Sequence, residues 1–210
     1  MAKPELVFDG PSDAARTIVL AHGAGQAMDS PFMTAIAEGL AGKGFRVARF
    51  DFPYMTEMRK SGKRRPPDRA PVLAATWRAA IDEIGADGLI IGGKSMGGRI
   101  ASLIADEARV AGLVCLGYPF HPTGRPEKLR VAHLESLRTP TLICQGTRDA
   151  LGSVGEVAGY DLAPSIRFHW LDDGDHSFKP RKASGRTERQ NRDEAAEAVA
   201  KFARFPGVDG

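Results

Sequence analysis

The chain of 210 residues predicts a single α/β domain (residues 1–210): a mostly parallel central sheet of about six to seven strands with helices on both faces. Three observations lead there. Short apolar runs alternate with amphipathic helical stretches along the whole chain. One such run, Gly88-Leu89-Ile90-Ile91-Gly92, passes through the tight sequence Gly93-Lys94-Ser95-Met96-Gly97 directly into a helical pattern. Reactive side chains stand just past the ends of several runs, where open parallel sheets build their sites.

The elements follow in order. Leu6 to Phe8 is a candidate edge strand, and Arg16 to Ala21 is the first core strand. Asp29-Ser30-Pro31 caps a helix that runs to about Gly42, with proline in its first turn, where its missing N–H costs nothing. Phe45 to Phe50 is the next strand, Pro71 to Ile84 an amphipathic helix, and the Gly88 run a buried strand. Beyond Ser95, the apolar positions of Arg99 to Ala105 have helical spacing. Ala111 to Leu116, Thr141 to Gln145 and Ser165 to Leu171 complete six core strands, and Arg189 to Phe205 is the closing helix. No internal repeat is evident.

Composition bounds the class. A hydrophobic content of 42% in a chain of this length supports one sizeable core. Cys115 and Cys144 both lie inside strand-like apolar runs and read as buried small hydrophobes without a disulfide. Met1-Ala2-Lys3-Pro4-Glu5 lacks the apolar core of a signal peptide, and no run approaches a membrane span. The expectation is a cytoplasmic enzyme without a membrane partner. With no H-E-x-x-H string and no Cys/His cluster, neither a metal nor another cofactor is expected.

The segment around Ser95 reads in two ways. Gly93-Lys94-Ser95-Met96-Gly97 is G-x-S-x-G, a nucleophile elbow, in which serine sits on a strained strand-to-helix turn. Gly88 to Ser95 also matches G-x-x-x-x-G-K-S, a phosphate-binding loop that would make this a nucleotide-binding protein using Lys94 and Ser95. A phosphate loop needs an irregular cradle of inward-turned amides. Leu89, Ile90 and Ile91 read instead as a buried strand, and strand, turn, helix is the context of an elbow.

The elbow has partners. The first core strand ends in His22-Gly23-Ala24-Gly25, another in Gly146-Thr147-Arg148-Asp149, and a third in Asp172-Asp173-Gly174-Asp175-His176. Serine at neutral pH needs a base, and His176 is the best placed of the five histidines. Asp149 would accept the other imidazole N–H and stabilise the imidazolium. The chain order Ser95, Asp149, His176 separates this arrangement from other serine triads.

These motifs resemble a small α/β-hydrolase, over most of the chain from about Thr17 to Phe178. Phe50-Asp51-Phe52-Pro53-Tyr54, Gly93 to Arg99, Leu116-Gly117-Tyr118-Pro119-Phe120-His121-Pro122 and Gly146 to Asp149 are similar to a compact group near the dienelactone hydrolases. That group includes bacterial proteins and the animal testis-expressed and NSL-complex-subunit hydrolase-like proteins. The resemblance implies an α/β-hydrolase fold without a large cap, and the segment His121 to Arg138 is the only candidate lid. Dienelactone hydrolases proper use a cysteine nucleophile where this chain has Ser95, so the lactone substrate is not carried over.

The developing oxyanion would be held by the Met96 amide and by the loop at Gly23 to Gly25, with Ala24 and Gly25 as candidate donors. His22, Tyr54, Tyr118 and His121 are candidate substrate contacts, although His22 also reads as a structural residue beneath the loop. His133 and His169 read as surface or packing residues. The plain alternatives are a helix N-cap for Ser95, a loop histidine for His176 and a turn or cap residue for Asp149. Asp172, Asp173 and Asp175 are rival acids that look like a solvated turn.

Two basic segments are left over. Met58 to Arg69 carries six basic residues against one acid, and Lys179 to Arg186 carries four with none. They read either as solvated loops or as capture of an anionic substrate. A nucleic-acid partner would need stacking aromatics among the charges, and these loops lack them. The resulting expectation is a serine hydrolase acting on a small-molecule ester or thioester, anionic if the basic loops take part. The competing class is a non-catalytic interaction protein on the same fold.

Overall fold

The computed structural model describes residues 3–207. Seven strands form one sheet in the order β1-β3-β2-β4-β5-β6-β7. β1 (Val7–Asp9) runs antiparallel to β3 (Arg46–Phe50) at one edge. β2 (Thr17–Ala21), β4 (Ile90–Lys94), β5 (Gly112–Leu116), β6 (Thr141–Gly146) and β7 (Ile166–Leu171) complete it, every other pairing being parallel. The expected α/β-hydrolase sheet is therefore present, with the candidate edge strand in its place.

The period of two along each strand allots side chains to two cores. Val19, Ala21, Ile91, Leu113, Cys115 and Ile143 face α3 (Ala70–Ile84) and α4 (Met96–Ser102). Ile18, Leu20, Ile90, Val114, Leu116, Leu142 and Cys144 face α1 (Pro31–Ala41) and α7 (Glu188–Arg204). Cys115 and Cys144 thus lie on opposite faces, each a free buried thiol, and burial pushes Cys144 up to about 12.

Helix ends follow their sequence signals. Ser30 accepts from the Met33 amide at 3.4 Å ahead of Pro31, and Thr187 and Gln190 form a reciprocal capping box at the start of α7. The basic segment from Met58 was expected as a loop, but its first part belongs to α2 (Pro53–Ser61). That helix starts on proline and stops at Gly62 in the left-handed conformation. Two short helices also appear, α5 (Ala105–Ala108) and α6 (Val154–Val157). Segment 121–138 contains no regular element and is tied down by buried Val131, Leu134 and Leu137.

The topology fixes where a site can form. From β2 the chain leaves toward β3, and from β4 it leaves toward β5 on the other side. The loops after β2 and β4 therefore open a crevice at the carboxyl ends of adjacent strands. His22 to Gly25 and Ser95 stand in those two loops.

Candidate active site

Ser95 follows β4 directly and adopts φ 50°, ψ −113°, one of four non-glycine residues with positive φ among the described residues. Such backbone strain persists only where the surroundings enforce it. Here the enforcement is close packing. A Cβ on Gly93, at φ 148°, would come within 2.0 Å of the Ala21 carbonyl oxygen, and one on Gly97 within 2.3 Å. Helix α4 can therefore start immediately behind Ser95, and Trp77 Nε1 steadies it by donating to the Gly97 carbonyl at 3.2 Å.

His176 and Asp149 meet this serine from two further loops. His176 Nε2 lies 2.9 Å from Ser95 Oγ, and His176 Nδ1 lies 2.8 Å from Asp149 Oδ2. An ionised carboxylate only accepts, so Nδ1 carries the proton and donates to Asp149. Nε2 then presents its lone pair to the Ser95 hydroxyl, which donates to it. The imidazole remains reachable, with 27% of its side chain exposed, whereas Asp149 is fully buried.

Asp149 is held by groups that sequence inspection missed. Gln145 Nε2 donates to Oδ2 at 2.9 Å, and the Leu151 amide donates to Oδ1 at 2.8 Å. The His176 loop is fastened one carbonyl at a time: Asp172 by Asn191 Nδ2, Asp173 by Arg148 Nε and Gly174 by the Arg148 amide. Asp173 is buried and ion-paired, which departs from the expected solvated turn. The Arg181 guanidinium beside it holds its carboxyl down at about 2.

The loop after β2 is oriented from below. His22 Nδ1 bonds the Gly23 carbonyl at 2.7 Å, and Tyr54 Oη donates to the Ala24 carbonyl at 3.0 Å. A trans peptide points its N–H opposite to its carbonyl. The Ala24 and Gly25 amides therefore face away from these buried rings, on an exposed turn. Met96 supplies the first amide of α4, which no carbonyl within that helix can satisfy. Two further contacts fix the loop farther along, where the Met28 amide donates to Asp51 Oδ1 at 2.8 Å and Arg49 Nη1 donates to the Met28 carbonyl at 2.8 Å.

The other predicted contacts lie elsewhere. His22 and Tyr54 are buried beneath the loop, and burial lowers the His22 pKa, leaving Nε2 to accept from the Phe52 amide at 3.1 Å. Tyr118 is buried, donating to the Arg130 carbonyl at 3.0 Å, so its hydroxyl faces the 121–138 segment. His121 is buried against Pro122 and Glu156. None of these four rings is exposed beside Ser95. His133 bonds Ser102 at 2.8 Å and His169 bonds Glu194 at 3.0 Å, both as packing residues.

Part of the leftover basic charge is matched internally. Arg59 pairs with Asp29 and Asp51, Arg181 with Asp173 and Arg186 with Glu194. Among the described residues, no group of three His, Cys, Asp or Glu could hold a metal ion. No described helix is long and apolar enough to cross a membrane. The Walker-like string contains no cradle either: Ile90 to Gly93 is paired on both sides within the sheet, and Lys94 on the β5 side. A groove of about 810 Å³ between β7 and α7, lined by Phe168, His169, Phe202 and Phe205, includes none of Ser95, Asp149 and His176.

Solved structures share this architecture across nearly their whole length. A lid-less α/β serine hydrolase from Xanthomonas campestris matches with a TM-score of 0.72 at 19% identity, covering 99% of this chain and 91% of that one. Est1E from Butyrivibrio proteoclasticus, solved with ferulic acid bound, matches at 0.73 and 15% identity, covering 97% and 95%. A dienelactone hydrolase from Anabaena variabilis matches at 0.65 and 22% identity, covering 98% and 97%. At these identities the likeness is one of fold. Residues 14–204 match the family described as an alpha/beta hydrolase domain, and the chain belongs to that family.

Proposed function

We propose that the protein is a serine hydrolase that cleaves a small ester or thioester through an acyl-enzyme intermediate, with Ser95 as nucleophile, His176 as base and Asp149 as its orienting acid. The observation that carries this reading is the continuous chain Ser95 Oγ, His176 Nε2, His176 Nδ1, Asp149 Oδ2, with links of 2.9 and 2.8 Å at a strained elbow.

Chemistry follows from that chain. Ser95 Oγ attacks the substrate carbonyl as its proton passes to His176 Nε2, and the imidazolium formed is stabilised by the buried Asp149 carboxylate. The negative charge gathering on the carbonyl oxygen meets the Met96 amide and the Ala24 and Gly25 amides, donors already oriented before the reaction. His176 returns the proton to the departing alcohol or thiol. Water then attacks the acyl-serine with His176 as base, regenerating Ser95.

Segment 121–138 is packed down on the core and, among the described residues, no large cap covers the crevice, which supports a small substrate in an open site. Lys60, Lys63, Arg64 and Arg65 stay exposed at the end of α2 and beyond, and these favour an anionic acyl substrate. A panel of p-nitrophenyl esters and acyl thioesters, neutral and carboxylate-bearing, tests the reading. Turnover that disappears in Ser95→Ala supports it, and turnover that survives that substitution contradicts it.

A further inference from the structure

One buried charge takes no part in this chemistry. Lys94 immediately precedes Ser95, is almost completely buried, and sends its side chain to the α1 and α7 side of the sheet. Its Nζ lies 5.4 Å from the ring centre of Phe32 and 5.8 Å from that of Phe178. There it donates to the backbone carbonyl of His176. No carboxylate lies within ion-pair distance of it among the described residues.

Stability does not account for a lysine at this place. Removing an ammonium from water costs several kcal/mol, and the two aromatic faces and one carbonyl offset only part of that. An apolar side chain of the same length would fill the space between Phe32 and Phe178 without that cost. What the ammonium adds is a directional link.

Among the described residues, the His176 backbone has no other hydrogen bond. Carbonyls of Asp172, Asp173, Gly174 and Phe178 are each held by Asn191 or Arg148, and that of His176 by Lys94. Space for this contact is kept by Gly117. At φ 70° it fits beneath, and a Cβ there would come within 2.8 Å of Lys94 Nζ and 2.9 Å of the His176 carbonyl oxygen. Because Lys94 and Ser95 are adjacent in sequence, one short piece of backbone carries the nucleophile and also grips the residue proposed as its base.

We infer that Lys94 is a positioning residue: its bond to the His176 carbonyl sets the imidazole at hydrogen-bond distance from Ser95 Oγ. This inference rests on the hydrolase reading for its effect on turnover, but the tether itself has an independent signature. Displacements of about 1 Å in such a pair cost on the order of a hundredfold in rate.

The test compares the full chain with Lys94→Met, which keeps length and apolar volume and removes the donor. Thermal unfolding, steady-state kinetics on an ester the wild type hydrolyses, and the low-field proton NMR signal of His176 Nδ1–H are read together. Expected are an unfolding temperature equal to or above wild type, kcat lower by about ten- to a hundredfold, KM changed by less than about twofold, and a broadened or lost low-field signal. Unchanged kcat and an unchanged signal in folded protein overturn the inference, as does a rise in KM alone. Should Lys94→Met not fold, Lys94→Gln, which keeps a donor but loses reach, is read in the same way. If the wild type hydrolyses nothing in a Ser95-dependent manner, the hydrolase reading fails by itself, and the NMR comparison still decides whether Lys94 holds the imidazole.

Discussion

Gln145 Nε2 donates at 2.9 Å to the same Asp149 oxygen that faces the imidazole of His176. The amide is fully buried and saturated, its Nε2 also reaching the Tyr118 and Gly152 carbonyls and its Oε1 accepting from the Tyr118 amide at 2.7 Å. Two loops and the carboxylate between them are thereby fixed by one side chain.

Gln145→Leu leaves several buried groups without partners, at about 1–3 kcal/mol apiece before relaxation. The expected outcome is a loss of about 3 kcal/mol in urea unfolding and a fall in kcat larger than any change in KM. Wild-type stability in the variant would show that Gln145 does not hold this corner together.

Asp149→Asn keeps the size of the side chain but favours the wrong imidazole tautomer. Turnover should fall by roughly ten-thousandfold, with substrate affinity little altered, as measured by steady-state kinetics. A loss below about tenfold would mean that Asp149 does not orient the base.

Trp77 is fully buried, meets Phe50 edge-on at 4.9 Å between ring centres, and anchors the start of α4. Trp77→Ala should cost about 3–5 kcal/mol in stability. Trp77→Phe, which keeps most of the volume and loses only the indole N–H bond to Gly97, should cost about 1 kcal/mol. Equal losses in the two variants would contradict this division.

Two groups make stability depend on pH with a sign that follows from their shifts. Burial lowers Lys94 from the ordinary 10.5 to about 8, so between those values the unfolded chain binds a proton that the folded chain does not. Stability should therefore rise with pH across that window in the wild type and not in Lys94→Met, read as urea midpoints at pH 7.5 and 10. Asp173 is held down at about 2 by Arg181, so its contribution is complete above the ordinary value of 3.8 and is lost as pH falls toward 2. The stability gap between wild type and Asp173→Asn should close over that interval.

The sheet was legible because each core strand is a short apolar run, and Ser95, Asp149 and His176, which the structure brings within hydrogen-bond distance of one another, were legible as candidates because each stands just past such a run. Helix α2 was hidden by its basic last turn, although Pro53 and Gly62 mark its ends. Gln145 and Lys94 could not be assigned their roles from the sequence, since each acts through partners distant in the chain. Tyr54, Tyr118 and His22 were placed near the right loops, but their rings turn beneath the backbone, an orientation that depends on packing.

In the proposed hydrolase, His176 and Asp149 activate Ser95. Mass spectrometry of the intact protein after treatment with a fluorophosphonate, with the adduct mapped by digestion, addresses it directly. A single adduct on Ser95, absent in His176→Ala, is the expected result. No adduct on the folded wild type, or one that forms equally well without His176, would contradict it and leave a hydrolase fold used for interaction.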